Sequence, residues 1–152
     1  MYLSAKDIAA LDGIRKSHFL NEGARRHQKS LGDEVGLERL GVHLVSVEPG
    51  QFSTEFHHHL WEEEAVYILS GRGTATIGEE KQAIGPGDFI GYPTNGVAHD
   101  LYNDGDEPLV FLVVGQRLDH DVCDYPRKGK RLFVNEGEWN LVDQADIEVS
   151  HR

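Results

Sequence analysis

From Leu37 to Gly115 the chain is written in short apolar and β-branched runs separated by turn residues. The runs are Leu40 to Val47, Phe52 to His59, Ala65 to Leu69, Thr74 to Ile77, Gln82 to Ile84, Asp88 to Tyr92, Ala98 to Asn103 and Leu109 to Val114. Between them stand Glu48-Pro49-Gly50, Gly71-Arg72-Gly73, Gly78-Glu79-Glu80, Gly85-Pro86-Gly87, Pro93-Thr94-Asn95-Gly96 and Asp104-Gly105-Asp106, all with turn chemistry. Short runs recurring at roughly ten-residue intervals, with no helical period between them, predict an all-β antiparallel sandwich or barrel.

The pattern loosens on either side of this core. Residues 1–36 carry mixed charge, with a helical signal only over Ser4 to Leu11, where Ser4 can cap and Ile8 and Leu11 share a face. They are predicted to form an N-terminal arm lying on the body. Residues 116–152 form a largely polar stretch that contains Tyr125-Pro126 and Leu132-Phe133-Val134, and are predicted to pack as a C-terminal tail outside a barrel spanning 37–115, with some added strand. Arms of this length have to bury Phe19, Leu132, Phe133 and Trp139 somewhere, which points to a homodimer.

The charge balance narrows the partners. With 26 acidic and 15 basic residues the chain carries a net charge of -11, which repels nucleic-acid phosphates and anionic lipid. The longest apolar stretch, Leu109 to Val114, falls far short of the roughly 20 residues of a membrane span. The first residues lack a basic segment followed by an apolar one, and a single cysteine, Cys123, cannot form an intrachain disulfide; both point to a reducing cytoplasm.

Nine histidines are the compositional oddity, and four residues draw them into chemistry. On a strand, side chains two apart share a face, so His57 and His59 project together while His58 takes the solvent or an interface. Glu64 opens the next strand, where pairing brings its carboxylate beside the two imidazoles, and His99 opens a later strand after a Pro/Gly turn as a fourth donor. Three neutral imidazoles and one carboxylate suit one divalent transition metal, Mn, Fe, Co, Ni or Zn, and leave exchangeable positions for a small-molecule ligand.

The neighbouring residues read differently. Glu62 and Glu63 are expected in solvent, although either could replace Glu64 across a shorter turn. His43, on the preceding strand, is either a pocket residue or a histidine satisfied against the arm or a partner subunit. Cys123 sits among Asp119, His120, Asp121 and Asp124; acidic neighbours raise a thiol pKa, so it reads as unreactive and the cluster as a solvated turn. Gly71, Gly73, Gly85, Gly87 and Gly96 read as turn residues, since no Lys-Ser/Thr pair or helix follows them as in a phosphate loop.

Taken together, His57-x-His59, four residues, Glu64, six residues and Gly71, followed by Gly87, Pro93, Gly96, His99 and Asn103, resemble the two motifs of the cupin superfamily. Six rather than five residues separate Gly50 from His57, and Pro93 to Gly96 is one residue longer than the strictest pattern; neither departure moves a ligand. The resemblance implies a jelly-roll barrel with the metal inside its mouth. A narrower likeness extends to single-domain bacterial cupins, some provisionally labelled sugar-phosphate isomerases. The expected function is a metal-dependent enzyme, an isomerase or dioxygenase, acting on a sugar phosphate, keto acid or diketone. The alternative is a non-catalytic module that binds a small molecule or senses the metal.

Overall fold

The computed structural model describes residues 1–151. Ser4 caps the helix α1 (Ala5–Ala10) through a capping box, its hydroxyl accepting from the Asp7 amide while the Asp7 carboxylate accepts from the Ser4 amide. The strands β1 (Ile14–His18) and β2 (Asn21–Lys29) follow as a hairpin, then the short helix α2 (Leu31–Glu34) and β3 (Leu40–Val47). After β4 (His58–His59) come β5 (Glu64–Ser70), β6 (Gly73–Ile77), β7 (Glu80–Ile84), β8 (Phe89–Tyr92), β9 (His99–Tyr102) and β10 (Leu109–Gln116). The chain closes with β11 (His120–Tyr125), β12 (Lys130–Asn135) and β13 (Glu138–Asp143).

A six-stranded antiparallel sheet, in the order β1-β2-β3-β10-β5-β8, faces a three-stranded sheet, β7-β6-β9. Period-two alternation points one side of each strand inward. Val45 and Val47 of β3, Val66 and Ile68 of β5, Ala75 of β6 and Leu109 and Phe111 of β10 make the buried core between the sheets. The same inward rows run on into polar residues at one end: His43 continues the row of Val45, Glu64 that of Val66, and His99 that of Leu101. A strand that packs the core at one end thus presents chemistry at the other.

Three features fill in or depart from the pattern of the sequence. The run Phe52 to His59 pairs as a strand only over His58–His59; upstream, its backbone bonds Gly23 through the Phe52 amide and Leu101 through the Ser53 amide, so it switches partners between sheets. The arm contributes β1 and β2 to the main sheet, because β2 pairs with β3 over His27 to Lys29. The tail supplies β11, β12 and β13, which join β4 in a separate four-stranded sheet and bury Cys123, Tyr125 and Leu132 in a second, smaller core. Phe19 and Trp139 stay exposed.

Gly71 closes the turn between β5 and β6 at φ 80°, and a Cβ there would stand 2.3 Å from the Pro108 carbonyl oxygen. Both the left-handed backbone and the contact exclude a side chain. Gly71→Ala is expected to cost about 3 kcal/mol, read as a lowered denaturant midpoint.

Candidate metal centre

The local chain path explains how the four residues meet. His57 leads into β4 and exchanges backbone hydrogen bonds with His99, its amide donating to the His99 carbonyl at 3.1 Å and its carbonyl accepting from the His99 amide at 2.8 Å. The imidazoles of these neighbours lie 4.7 Å apart, centroid to centroid. His59 follows on the same face, with its ring centroid 5.1 Å from that of His57. Glu64 enters from β5 opposite Gly115 of β10, where a Cβ would sit 3.2 Å from the Glu64 side chain, so the glycine leaves the carboxylate its space.

One Glu64 oxygen, Oε2, stands 3.7 Å from His57 Nε2, 3.8 Å from His59 Nε2 and 3.5 Å from His99 Nε2. These separations exceed ordinary hydrogen-bond lengths. Donors held about 2.1 Å from a common ion lie roughly 3 to 3.5 Å from one another, so the cluster would need to contract only slightly around one. The outer ring nitrogens fix what the inner ones can do. His57 Nδ1 donates to the Glu55 carbonyl oxygen at 2.8 Å, and His59 Nδ1 donates to Asp121 Oδ2 at 2.5 Å. In the neutral rings this leaves the Nε2 lone pairs of both facing Glu64. His99 Nδ1 is buried with no partner among the described residues, and the His99 ring lies flat against Tyr92 at 3.4 Å. Lone pairs converging on a carboxylate repel one another unless a cation lies between them, so these residues fit a metal ion.

The electrostatics follow from burial and mutual contact. Burial opposes ionisation of Glu64, but with no ion between them an N–H turned toward it from His57 or His99, in place of the lone pair that a metal needs, outweighs burial and holds its carboxyl well below the usual range. Burial likewise disfavours protonated His59, yet the Asp121 hydrogen bond and the Glu64 charge more than compensate and hold its pKa above the ordinary value. For His99 burial wins over Glu64 and its pKa is lowered.

Two residues assigned to solvent prove to be parts of this site. Asp121 is 2% exposed; besides His59 it accepts the amides of Trp61 and Glu62 on Oδ1, so its oxygens are committed to positioning. Its signal was the alternation of β11, which puts Asp121 on one face with buried Cys123 and Tyr125. Glu62 accepts the Leu118 amide at 2.8 Å and lies 3.7 Å from His59 Nδ1, and burial raises its pKa. Because it faces Nδ1 rather than Nε2, it stands outside the cluster around Glu64. Asp124, also read as solvated, is buried in a bidentate pair with Arg131. His58 points away, 3.7 Å from Asp124.

Cys123 stands close enough to His57 and His59 to count among metal-capable groups, but it is 1% exposed. Burial pushes its thiol far above the thiolate range. It is expected to resist a soluble disulfide reagent in the native protein and to react fully once the chain is denatured, as read by released chromophore.

The site forms one wall of a cavity of about 820 Å³, within the range of small-molecule pockets. His43 also lines it, its Nδ1 3.1 Å from both Gln28 Nε2 and Ser30 Oγ, so it is at once a pocket residue and one satisfied against the arm.

The cupin domain model matches residues 43–115. The chain is also 56% identical to a protein from Acidithiobacillus ferrooxidans provisionally named a sugar phosphate isomerase; its crystal structure superposes with a TM-score of 0.97, covering 99% of this chain and 97% of that one. The chain belongs to the cupin superfamily. A second solved structure, named a sugar phosphate isomerase of a cupin superfamily, from Silicibacter pomeroyi, is 26% identical to this cupin with a TM-score of 0.84, covering 95% of each chain. An uncharacterized protein of Methanocaldococcus jannaschii is 35% identical over 81 residues, which span 53% of this cupin and 57% of that protein. Among the described residues, no helix of this cupin is long and apolar enough to cross a membrane.

Proposed function

We propose that this cupin is a metal-dependent enzyme acting on a small oxygen-rich metabolite, with one divalent transition metal (Mn, Fe, Ni, Co or Zn) held by His57, His59, Glu64 and His99. The observation that supports this most is the convergence of three imidazole Nε2 atoms on one Glu64 oxygen at the wall of a ligand-sized cavity. Such an ion, when bound, supplies polarisation of a ligand's carbonyl or carboxylate oxygen. The rest falls to the chain. The Glu55 carbonyl and Asp121 hold two of the rings in orientation. Isomerisation needs a group that moves a proton beside the substrate carbon; on the cavity wall next to the four residues, Glu62 offers a carboxylate and Tyr92 a buried hydroxyl without a partner among the described residues. The names of the two solved relatives, one of them provisional, support a sugar phosphate ahead of a keto acid or a diketone.

The test is elemental analysis of protein purified without added metal, followed by a metal-restored screen of sugar phosphates, keto acids and diketones. Turnover supports the enzyme. Binding without turnover makes the protein a binding or sensing module, and absence of both metal and ligand sinks the reading. The chain is further proposed to form a homodimer, supported by Tyr67, Leu69 and Phe89 exposed together on the outer face of β5 and β8. Light scattering that returned the 17.0 kDa monomer mass at micromolar concentration would reject it.

A further inference from the structure

The cavity wall carries a second group of charges. In the β1–β2 hairpin Lys16 pairs directly opposite Arg26, a juxtaposition of like charges that weakens a strand pair. Both line the cavity, whereas Arg15 and Arg25, on the alternate face of the hairpin, do not. Among the described residues no carboxylate oxygen lies within 4.0 Å of Lys16 Nζ or of the Arg26 guanidinium. In a chain with 26 acidic residues against 15 basic ones, two facing cations with no carboxylate in salt-bridge contact, only Asp33 and Glu64 acting on them from farther away, are a departure that needs a cause. Arg26 is held by neutral acceptors instead, Nε donating to Gln28 Oε1 at 3.2 Å and Nη1 to the Ser53 carbonyl at 2.8 Å. A guanidinium has five N–H donors, so these bonds fix its position and leave others for a ligand. Partial burial and the Arg26 charge hold the Lys16 ammonium below the usual lysine range, although the Asp33 carboxylate pulls the other way. Arg117, on the same cavity wall, is already paired with Asp33 at 2.6 Å.

We infer that Lys16 and Arg26 form a subsite for a phosphoryl group, so that the ligand of this cavity carries a phosphate monoester at one end and metal-chelating oxygens at the other. Two facing positive charges balance a phosphate dianion, where a carboxylate would leave one of them uncompensated. A guanidinium beside an ammonium supplies both a planar donor fork and a point charge for the phosphate oxygens. The subsite rests on the proposed reading of the cavity as a substrate site, and its test separates the two.

The experiment is calorimetric titration of the full chain, with and without restored metal. The probes are glycerol 3-phosphate, ribose 5-phosphate, glucose 6-phosphate, the three unphosphorylated parents and inorganic phosphate. At least one ester should bind about a hundredfold more tightly than its parent. Arg26→Gln and Lys16→Gln should each weaken that ester by about tenfold to a hundredfold with unchanged metal content, while Arg26→Lys, which keeps the charge and loses the fork, should lose less than Arg26→Gln, and Arg15→Gln should lose nothing. Lys16 is an exposed strand position, so its variant decides the matter if Arg26→Gln fails to fold. Should no ester exceed its parent, or should both Gln variants bind like wild type, the subsite is overturned while the metal reading stands. Tight inorganic phosphate without any ester would make free phosphate the ligand and overturn the monoester. A wild type that holds no metal fails the metal reading, and the phosphate titrations on metal-free protein still decide the subsite.

Discussion

His59→Ala and His99→Ala are each expected to reduce bound metal from about one ion per chain to a trace. In each, one of the nitrogens within 3.8 Å of Glu64 Oε2 disappears, and the ion loses a donor that no neighbour replaces. Cys123 is protonated by burial, Asp121 is committed to backbone amides, and Glu62 faces the wrong side of His59. A smaller change should follow from Asp121→Asn, which removes the charged acceptor that orients His59; affinity is expected to fall by about tenfold to a hundredfold without loss of the ligands themselves. His58→Ala should leave the content unchanged, since that ring lies toward Asp124. Elemental analysis and competition with a chelator read all four variants. Metal content equal to wild type in both His59→Ala and His99→Ala sinks the assignment.

Acid is expected to release the ion and to erase the stability that it contributes. Binding needs His57, His59 and His99 neutral and Glu64 ionised. In the metal-free chain the depressed Glu64 value contributes stability that is present above the ordinary glutamate value and is lost as pH falls through the folded one. The depressed His99 value works against the fold below about pH 6.5, because the unfolded chain takes up the proton more readily. The raised His59 value contributes stability below about pH 6.5 that is lost as pH rises through the folded value, and metal binding has to displace that proton. With three imidazoles competing for protons, affinity should drop more steeply than one proton per metal below about pH 6. A metal at a hundred times its dissociation constant stabilises the native state by about 2.7 kcal/mol, and this difference should close over the same range. Thermal melting of metal-free and metal-loaded protein between about pH 5 and 8, at fixed free ion concentration, measures it. A gap that does not change with pH would contradict imidazole ligation and favour carboxylates such as Glu62.

Some of this was legible in the chain because strand geometry is local. The run Leu40 to Val47 returns as β3 with unchanged ends, and Ser4 caps α1, since a two-residue period and a capping side chain depend only on near neighbours. Other positions were misread because local pattern is silent on distant partners. Phe52 to His59 has the composition of one strand, but its amides reach Gly23, Leu101 and His99, and that competition breaks it. Asp121 stands in a run of acids that looks solvated until β11 pairs with β4 and sets it beneath His59.

By itself the sequence determined the alternation that makes an antiparallel barrel, the turns that separate its strands, and a His-x-His pair that one strand face holds together. Only the tertiary structure decided that Glu62 and Asp121 belong to the site, that the arm extends the main sheet, and that Lys16 and Arg26 face each other on the cavity wall. A side chain's direction is set by the period of its own strand, whereas its electrostatic partners are set by which strand pairs beside it, and that choice is made by burial summed over the whole chain.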